Sequence, residues 1–241
     1  VTVHGADVYQ HLRRADTASR RAAAVLRGAA AVMANSSAVA RLLKGIVAPD
    51  RLHVVLNGTT GAGAAVTPAD DAWPGEPLLL TVGYLIERKG HAIVLRALAR
   101  LAQRGLRPHW AVVGEGVLGD PLKRQAEVLG LGTTTHFLGR QPHHRVLELM
   151  ARAELFVLPS WDEAFGLVYT EAMMQGTPVV ACRDEGPEDF IADGVSGYLV
   201  PADVRHCGGL AQDASIDHQR FAPLGANHMA EEIDFEPLGI Q

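Results

Sequence analysis

Apolar positions along this chain change period repeatedly, and the order of the changes sets the architecture. From residue 78 onward, short leucine-rich or β-branched runs alternate with longer stretches of helical period. LLLTV (78–82), HWAVV (109–113), THFL (135–138), LFVL (155–158), PVVAC (178–182) and YLV (198–200) read as strands. Between the first two, residues 91–104 place Ile93, Ala97, Leu98 and Leu101 on one helical face, with Arg96, Arg100 and Arg104 on another. That pattern predicts a half-buried helix with a solvated arginine stripe. Residues 120–129, 143–150, 166–175 and 186–192 supply the remaining predicted crossovers. Strands that are apolar along their whole length need cover on both faces, so the fold class is α/β with a doubly wound parallel sheet.

Residues 1–56 repeat this grammar more briefly. VTVH (1–4) leads into a helical pattern running to about residue 27, followed by AAVMAN (30–35), a helix from Ser36 or Ser37, and LHVVL (52–56). Residues 57–77 are rich in Gly, Pro, Ala and Thr and read as a linker between two lobes. The expected organisation is therefore a partial first lobe with linker over 1–75, a second lobe over 76–202, and an atypical segment over 203–241. Three strands are few for an independent α/β lobe, and the chain opens inside a strand, so the first lobe is expected to be incomplete at its amino end. The last segment carries Asp203, Asp213, Asp217, Glu231, Glu232, Asp234 and Glu236 against Arg205 and Arg220, an excess that accounts for the whole net charge of −5. It keeps no clean period, which predicts loose packing.

Composition narrows the class. A chain of 241 residues with 48% hydrophobic side chains can bury a real core. Its pI near 6.1 gives no uniform basic field, so nucleic acid is not an expected partner. Cys182 and Cys207 lie far apart with no metal-ligand spacing, which fits a reducing, cytoplasmic setting rather than a disulfide framework or a zinc site. No apolar run reaches the ~18–20 residues of a membrane span, and no charged-then-apolar leader opens the sequence.

Candidate chemistry gathers at predicted strand ends, where open parallel sheets bind ligands. EAFGLVYTE (163–171) follows a strand and enters a helix. The amides of Phe165, Gly166 and Leu167 would open that helix and favour an anion such as phosphate, while Glu171, a turn and a half inside, could accept hydrogen bonds from vicinal hydroxyls. Spacing alone favours the plainer reading, in which Glu163 caps the helix and Glu171 is solvated. VGYLIERKG (82–90) sets Gly83, Arg88 and Lys89 at another strand end, either as a clamp for a polyphosphate or as exposed basic residues in a loop. In VVGEG (112–116), Gly114 and Gly116 permit close ligand approach, although glycine turns end many strands. This is not the GxGxxG fingerprint, which disfavours a nicotinamide enzyme.

LLLTVGYLIERKGHAIVLRAL, VVGEG, HFLGRQPHHRVLELMARAELFVLPSWDEAFGLVYTEAMMQGTPVVA and GPEDFIADGVSGYLVP, in this order, resemble the carboxyl-terminal half of a family 4 (group 1) retaining glycosyltransferase with the GT-B fold of two Rossmann-like lobes. Glu163 and Glu171 match that family's E-x7-E motif, and the likeness covers about residues 1–202. A narrower similarity is to teichuronic-acid-type cell-surface polysaccharide transferases, through LPSW, FG, YTEAM and EGPEDFI. The resemblance implies a nucleotide-diphosphate-sugar donor in the second lobe and an acceptor in the first. It places Glu163 on the donor hexose hydroxyls, the Phe165–Leu167 amides on the sugar and diphosphate, and Glu171 on the ribose. Lys89 and Arg88 would neutralise the diphosphate, Gly139 and Arg140 would lie near the base, and Glu188 would be a further donor-side residue. His4, at the end of the first strand, matches a first-lobe histidine that faces the donor sugar, with Asp7 as a weaker neighbour. His143 and His144 read as surface residues, and Ser36 and Asn57-Gly58 match turns with structural roles. One departure stands out: Tyr84 follows Gly83 where many members carry arginine, which throws the phosphate contact onto Lys89 and Arg88.

The implied reaction is hexosyl transfer with retention, without an organic cofactor and, because no suitable Asp-x-Asp pair is present, without a divalent metal. The implied acceptor is a sugar or lipid-linked saccharide, compatible with peripheral contact at the inner membrane face. Two alternatives stay open: a catalytically incomplete nucleotide-sugar-binding fragment, and a GT-B sugar-nucleotide epimerase or phosphorylase.

Overall fold

The computed structural model of the protein describes residues 1–5, 7–12, 16–59 and 77–201. Most of the predicted linker and the acidic segment over 203–241 therefore lie outside the described residues.

Strands β1 (Thr2–Val3), β2 (Val32–Ala34) and β3 (Leu52–Val54) form a parallel three-stranded sheet in that order. A π-helical turn (Asp7–Leu12), helix α1 (Thr17–Gly28) and helix α2 (Ser37–Leu43) pack with it. Val3, Val8, Leu26, Val32, Val39 and Leu43 form their common core. The helical pattern expected to run unbroken to residue 27 is in fact interrupted. Asp16 caps α1, its carboxylate accepting the Ser19 amide at 2.8 Å, and an N-cap of this kind starts a new helix. Ser36 caps α2 in the same way, accepting from the Val39 amide at 3.1 Å.

The second unit is a six-stranded, all-parallel sheet ordered β6-β5-β4-β7-β8-β9. Its strands are β4 (Leu78–Val82), β5 (His109–Val113), β6 (Thr135–Gly139), β7 (Leu155–Val157), β8 (Val179–Cys182) and β9 (Gly197–Val200). Side chains alternate across the sheet, so each strand feeds two cores. Leu79, Trp110, Val112 and Leu155 face helices α3 (His91–Gln103) and α4 (Gly119–Val128). Leu78, Leu80, Phe156 and Ala181 face α5 (His143–Arg152) and α6 (Leu167–Met174). Trp110 adds a polar tie across the centre: its Nε1 donates to Thr81 Oγ1 at 2.9 Å, and that hydroxyl donates to the Val157 carbonyl at 2.5 Å. Three adjacent strands are thereby linked through side chains as well as through their ladders.

Two expectations change. Residues 186–192 form no crossover helix, only a 3-10 turn over Gly186–Asp189, because Pro187 starts the turn and Gly194, at φ 75°, reverses the chain soon afterwards. Arg96 and Arg100 are half-buried and of the three only Arg104 is exposed, so that helix face is less solvated than its period suggested.

The order of the sheet decides where a ligand can sit. The chain winds outward from β4 through β5 to β6, then returns to place β7 on the other side of β4. The carboxyl ends of β4 and β7 therefore flank the topological switch point, where connections leave on opposite faces and open a crevice.

Candidate active site

After β4 the chain runs through Gly83 and Tyr84 into a 3-10 turn over Glu87–Lys89, then enters α3 at Gly90. After β7 it runs through Pro159, Ser160, Trp161 and Asp162 to Glu163, then enters α6 at Gly166. The two loops are stitched together. The Trp161 amide donates to the Arg88 carbonyl at 2.9 Å, and Arg88 Nη1 reaches the Asp162 carbonyl at 3.4 Å. Lys89 Nζ meets Glu163 Oε2 at 2.5 Å, with only 11% and 13% of the two side chains exposed. Ser160 Oγ, itself buried, donates to the same carboxylate oxygen at 3.1 Å. Two donors therefore hold one oxygen of Glu163. At such low exposure the ion pair is screened less than a surface one, and breaking it would leave an uncompensated charge.

Glu171 has a different setting. It lies one turn inside α6, a third exposed, and its Oε1 is 3.1 Å from His143 Nε2 at the start of α5. His143 is indeed a surface residue, as expected, but it is the partner of Glu171, a pairing that sequence order does not suggest. The E-x7-E spacing thus delivers two carboxylates to two environments rather than to a shared proton.

The glycines divide by cause. Gly166 sits at φ 83° as the N-cap of α6, and a Cβ there would collide with the ring of buried Tyr169, so both backbone conformation and packing require glycine. Tyr169 donates its hydroxyl to the Leu158 carbonyl at 2.5 Å; burial first, then the charge of Glu163, push its phenol well above the ordinary range, which makes it a neutral support. Gly114, at φ 136°, was expected to admit a ligand, yet a Cβ there would strike the Gly83 carbonyl oxygen, so its need for glycine comes from the meeting of the β4 and β5 ends. Gly83 has no such constraint: its nearest neighbours would be Lys89 Cδ and Leu158 Cδ1 at 3.8 and 3.9 Å. Gly139 is left-handed at φ 64° and its carbonyl accepts the Gly114 amide at 2.9 Å, while Arg140 beside it is exposed. Phe165 is buried and Leu167 is 46% exposed.

In the first unit, His4 is exposed; its amide donates to Asp7 Oδ2 at 2.9 Å and its carbonyl accepts the Asp7 amide at 3.1 Å. Gly5 brings this turn against the second unit, since a Cβ on it would lie 2.5 Å from Ala164 Cβ. The turn that carries His4 and the loop that carries Glu163 therefore touch one residue along from each.

Several contributors were not anticipated. Ser160 is one, and Glu185 is another: its buried carboxylate accepts the Asp162 and Glu163 amides at 3.0 and 2.8 Å. Glu188, singled out from the sequence, instead accepts the Asp184 amide at 2.9 Å. His91 opens α3 fully buried, with neither ring nitrogen hydrogen-bonded; burial first, and Lys89 second, lower its pKa to about 4. A recess of about 450 Å³ lined by Ile86, Glu87, Arg88 and Trp161 opens beside the stitched loops, not directly over Lys89 and Glu163. The recess carries one cation, Arg88, and one carboxylate, Glu87, and includes neither member of the Lys89–Glu163 pair. Among the described residues no cluster of His, Cys, Asp and Glu could hold a metal ion, and no helix is long and apolar enough to cross a membrane.

Residues 68–206, more than half of the chain, match the family model of glycosyl transferases group 1. The chain belongs to that family. Among similar proteins, the lipopolysaccharide core biosynthesis glycosyltransferase LpsE of Rhizobium meliloti is 35% identical over 66% of this chain and 45% of its own length. The D-inositol 3-phosphate glycosyltransferase of Nocardia farcinica is 34% identical over 63% and 36% respectively. This group 1 chain thus spans less than half the length of either relative. Its fold is the GT-B architecture expected from the sequence: Anabaena HepE, solved in complex with UDP and glucose, superposes with a TM-score of 0.70 at 25% identity over 83% of this chain and 56% of that one.

Proposed function

We propose that this group 1 glycosyltransferase uses the switch-point crevice of its six-stranded sheet to bind a nucleotide-diphosphate-sugar and transfers the hexosyl group, with retention, to an acceptor hydroxyl. The observation that carries this reading is the convergence of the Lys89–Glu163 pair with the amide-bearing Gly166 cap of α6 at the ends of β4 and β7. A diphosphate leaving group needs a cation and a positive helix end near its oxygens, and a hexose needs a fixed carboxylate for its hydroxyls. In this proposal Lys89, aided by Arg88, neutralises the diphosphate, Gly83 leaves room for it, and the Phe165, Gly166 and Leu167 amides seat it. Glu163 offers its Oε1 to the sugar, Glu171 holds the ribose, and Gly139 and Arg140 border the base. His4 faces the sugar from the first lobe.

Catalysis then rests on positioning and on leaving-group stabilisation, with the acceptor attacking the face from which the nucleotide departs and no metal required. LpsE, named for lipopolysaccharide core synthesis, and the resemblance of the LPSW, YTEAM and EGPEDFI stretches to teichuronic-acid-type transferases both support a role in cell-surface polysaccharide or glycolipid synthesis. The proposed acceptor is a sugar or lipid-linked saccharide met in the cytoplasm or at the inner membrane face. Calorimetric titration of UDP- and GDP-sugars, followed by assay of nucleotide release with sugar acceptors, tests the reading. Binding with turnover is the expected result. Binding without turnover would leave a donor-binding module, and absence of binding would remove the donor site.

A further inference from the structure

We infer that Glu185 is a positioning residue for Glu163, a carboxylate whose task is to hold another carboxylate toward the donor sugar. This rests on the donor-site reading above. Glu185 is only 6% exposed, and its two oxygens are used separately: Oε1 accepts the amide of Asp162 at 3.0 Å and Oε2 the amide of Glu163 at 2.8 Å. Consecutive amides turned toward one anion form a backbone nest, which needs a left-handed residue in it. Asp162 supplies that conformation at φ 53°, a backbone angle that residues other than glycine seldom adopt. The next residue closes the ring in the opposite sense, the Gly186 amide donating to the Glu163 carbonyl at 2.8 Å. Both backbone polar groups of Glu163 are therefore tied to residues 185 and 186.

The consequence reaches the side chain. With its backbone fixed from one direction, and Lys89 and Ser160 holding Oε2 from others, Glu163 has one oxygen left to present and little freedom in where it points. Positions that must be held to a fraction of an ångström for recognition depend on such supporting contacts. Glu185 suits the role as a carboxylate specifically. An amide in its place keeps the shape but offers a single acceptor, and its NH₂ would face one of the two N–H groups.

The test compares the full chain with Glu185→Gln, Glu163→Gln and the double variant, reading the affinity of UDP and of UDP-glucose, with GDP and GDP-mannose run in parallel. The measured quantity is the gain in affinity that the sugar adds to the bare diphosphate. Glu185→Gln should leave binding of the diphosphate within about threefold while reducing the sugar's gain roughly tenfold or more, the size expected for a lost charge-assisted hydrogen bond. In the Glu163→Gln background it should change that gain less than about twofold, as expected when two residues act as one unit. Equal weakening of diphosphate and nucleotide-sugar, or additive effects in the double variant, would overturn the proposal. Should the wild-type chain bind none of the four ligands, it is the donor-site reading that fails. The clamp itself remains measurable by amide hydrogen exchange: Glu185→Gln should accelerate exchange at Asp162 and Glu163 and spare Val157, and unchanged rates would overturn it. If Glu185→Gln does not fold, Glu185→Asp keeps both acceptors at a shorter reach and should give an intermediate loss of the sugar's gain; no loss would count against the idea.

Discussion

Lys89 and Glu163 meet at 2.5 Å although 74 residues separate them, one from the loop after β4 and the other from the loop after β7. The cation proposed for the diphosphate and the carboxylate proposed for the sugar are thus each other's partners. Donor phosphates must share Lys89 with Glu163, and that competition gives opposite signs to two substitutions. Glu163→Gln should release Lys89 and strengthen binding of free UDP by about twofold to fivefold, while weakening UDP-sugar relative to UDP. Lys89→Met should weaken both ligands and, by leaving a poorly solvated carboxylate, lower unfolding free energy by about 1–3 kcal/mol. Calorimetry and urea unfolding check the two halves.

Glu171 should act on the nucleotide's ribose and nowhere else. Its exposure to a third and its contact with surface His143 leave it accessible to a hydroxyl pair. Glu171→Gln is expected to cost about tenfold in UDP affinity, the size of a hydrogen bond to a charged group. Binding of 2′-deoxy-UDP, already lacking one hydroxyl, should change much less; equal losses for the two nucleotides would count against the assignment.

His91 gives the fold an acid sensitivity with a definite sign. Its pKa is about 4 in the folded chain and 6.5 when unfolded, so as pH falls the unfolded state takes the proton first. The associated stability is fully present above pH 6.5 and drains away between 6.5 and 4, reaching a loss of about 3 kcal/mol at the lower end. His136, held down by burial and then by His109, contributes in the same direction. Urea unfolding at pH 7 and pH 4.5 should show the decline, and His91→Leu should flatten most of it. The same variant should not destabilise the protein at pH 7, because it removes two ring nitrogens that have no hydrogen-bond partner.

Asp189 joins the two units through one short bond. Its Oδ2 accepts the Ser37 amide, one of the unpaired donors at the start of α2, at 2.6 Å, while Arg41 Nη2 donates to the Asp184 carbonyl at 2.7 Å. Asp189→Ala should lower unfolding free energy by about 0.5–2 kcal/mol and speed amide exchange over Ser37–Ala40. A stability loss without faster exchange in α2 would mean that the bond does not act through the helix end.

Parts of this structure can be read directly from the residue pattern. β4 and β5 match their predicted limits because LLLTV and HWAVV are mostly apolar runs bounded by Pro77, Gly83, Pro108 and Gly114, residues that stop strands on local grounds. Other features depend on what meets in space. Asp16 looks like one more polar residue until its side chain is seen capping α1. Glu185 precedes a Gly-Pro pair that suggests only a turn, and nothing near it in sequence hints that it receives amides from residues 162 and 163. The proposed site residues Lys89, Glu163 and Glu171 stood out by their place at strand ends, whereas the partners that orient them, Ser160, Glu185 and His143, carry no local signature. The predicted crossover over residues 186–192 is not a helix because the segment between Pro187 and Gly194 is too short to hold more than the 3-10 turn over Gly186–Asp189.

The contact between Gly5 and Ala164 has a mechanical meaning. With a virtual Cβ only 2.5 Å from a real one, the two loops approach as closely as a glycine facing an alanine allows. The methyl group of Ala164 is in effect a gauge block between the units, and its thickness fixes how near the His4 strand can come to the carboxylate on the residue before it. A larger side chain at either position would act as a wedge, widening the cleft without altering any group that touches a ligand.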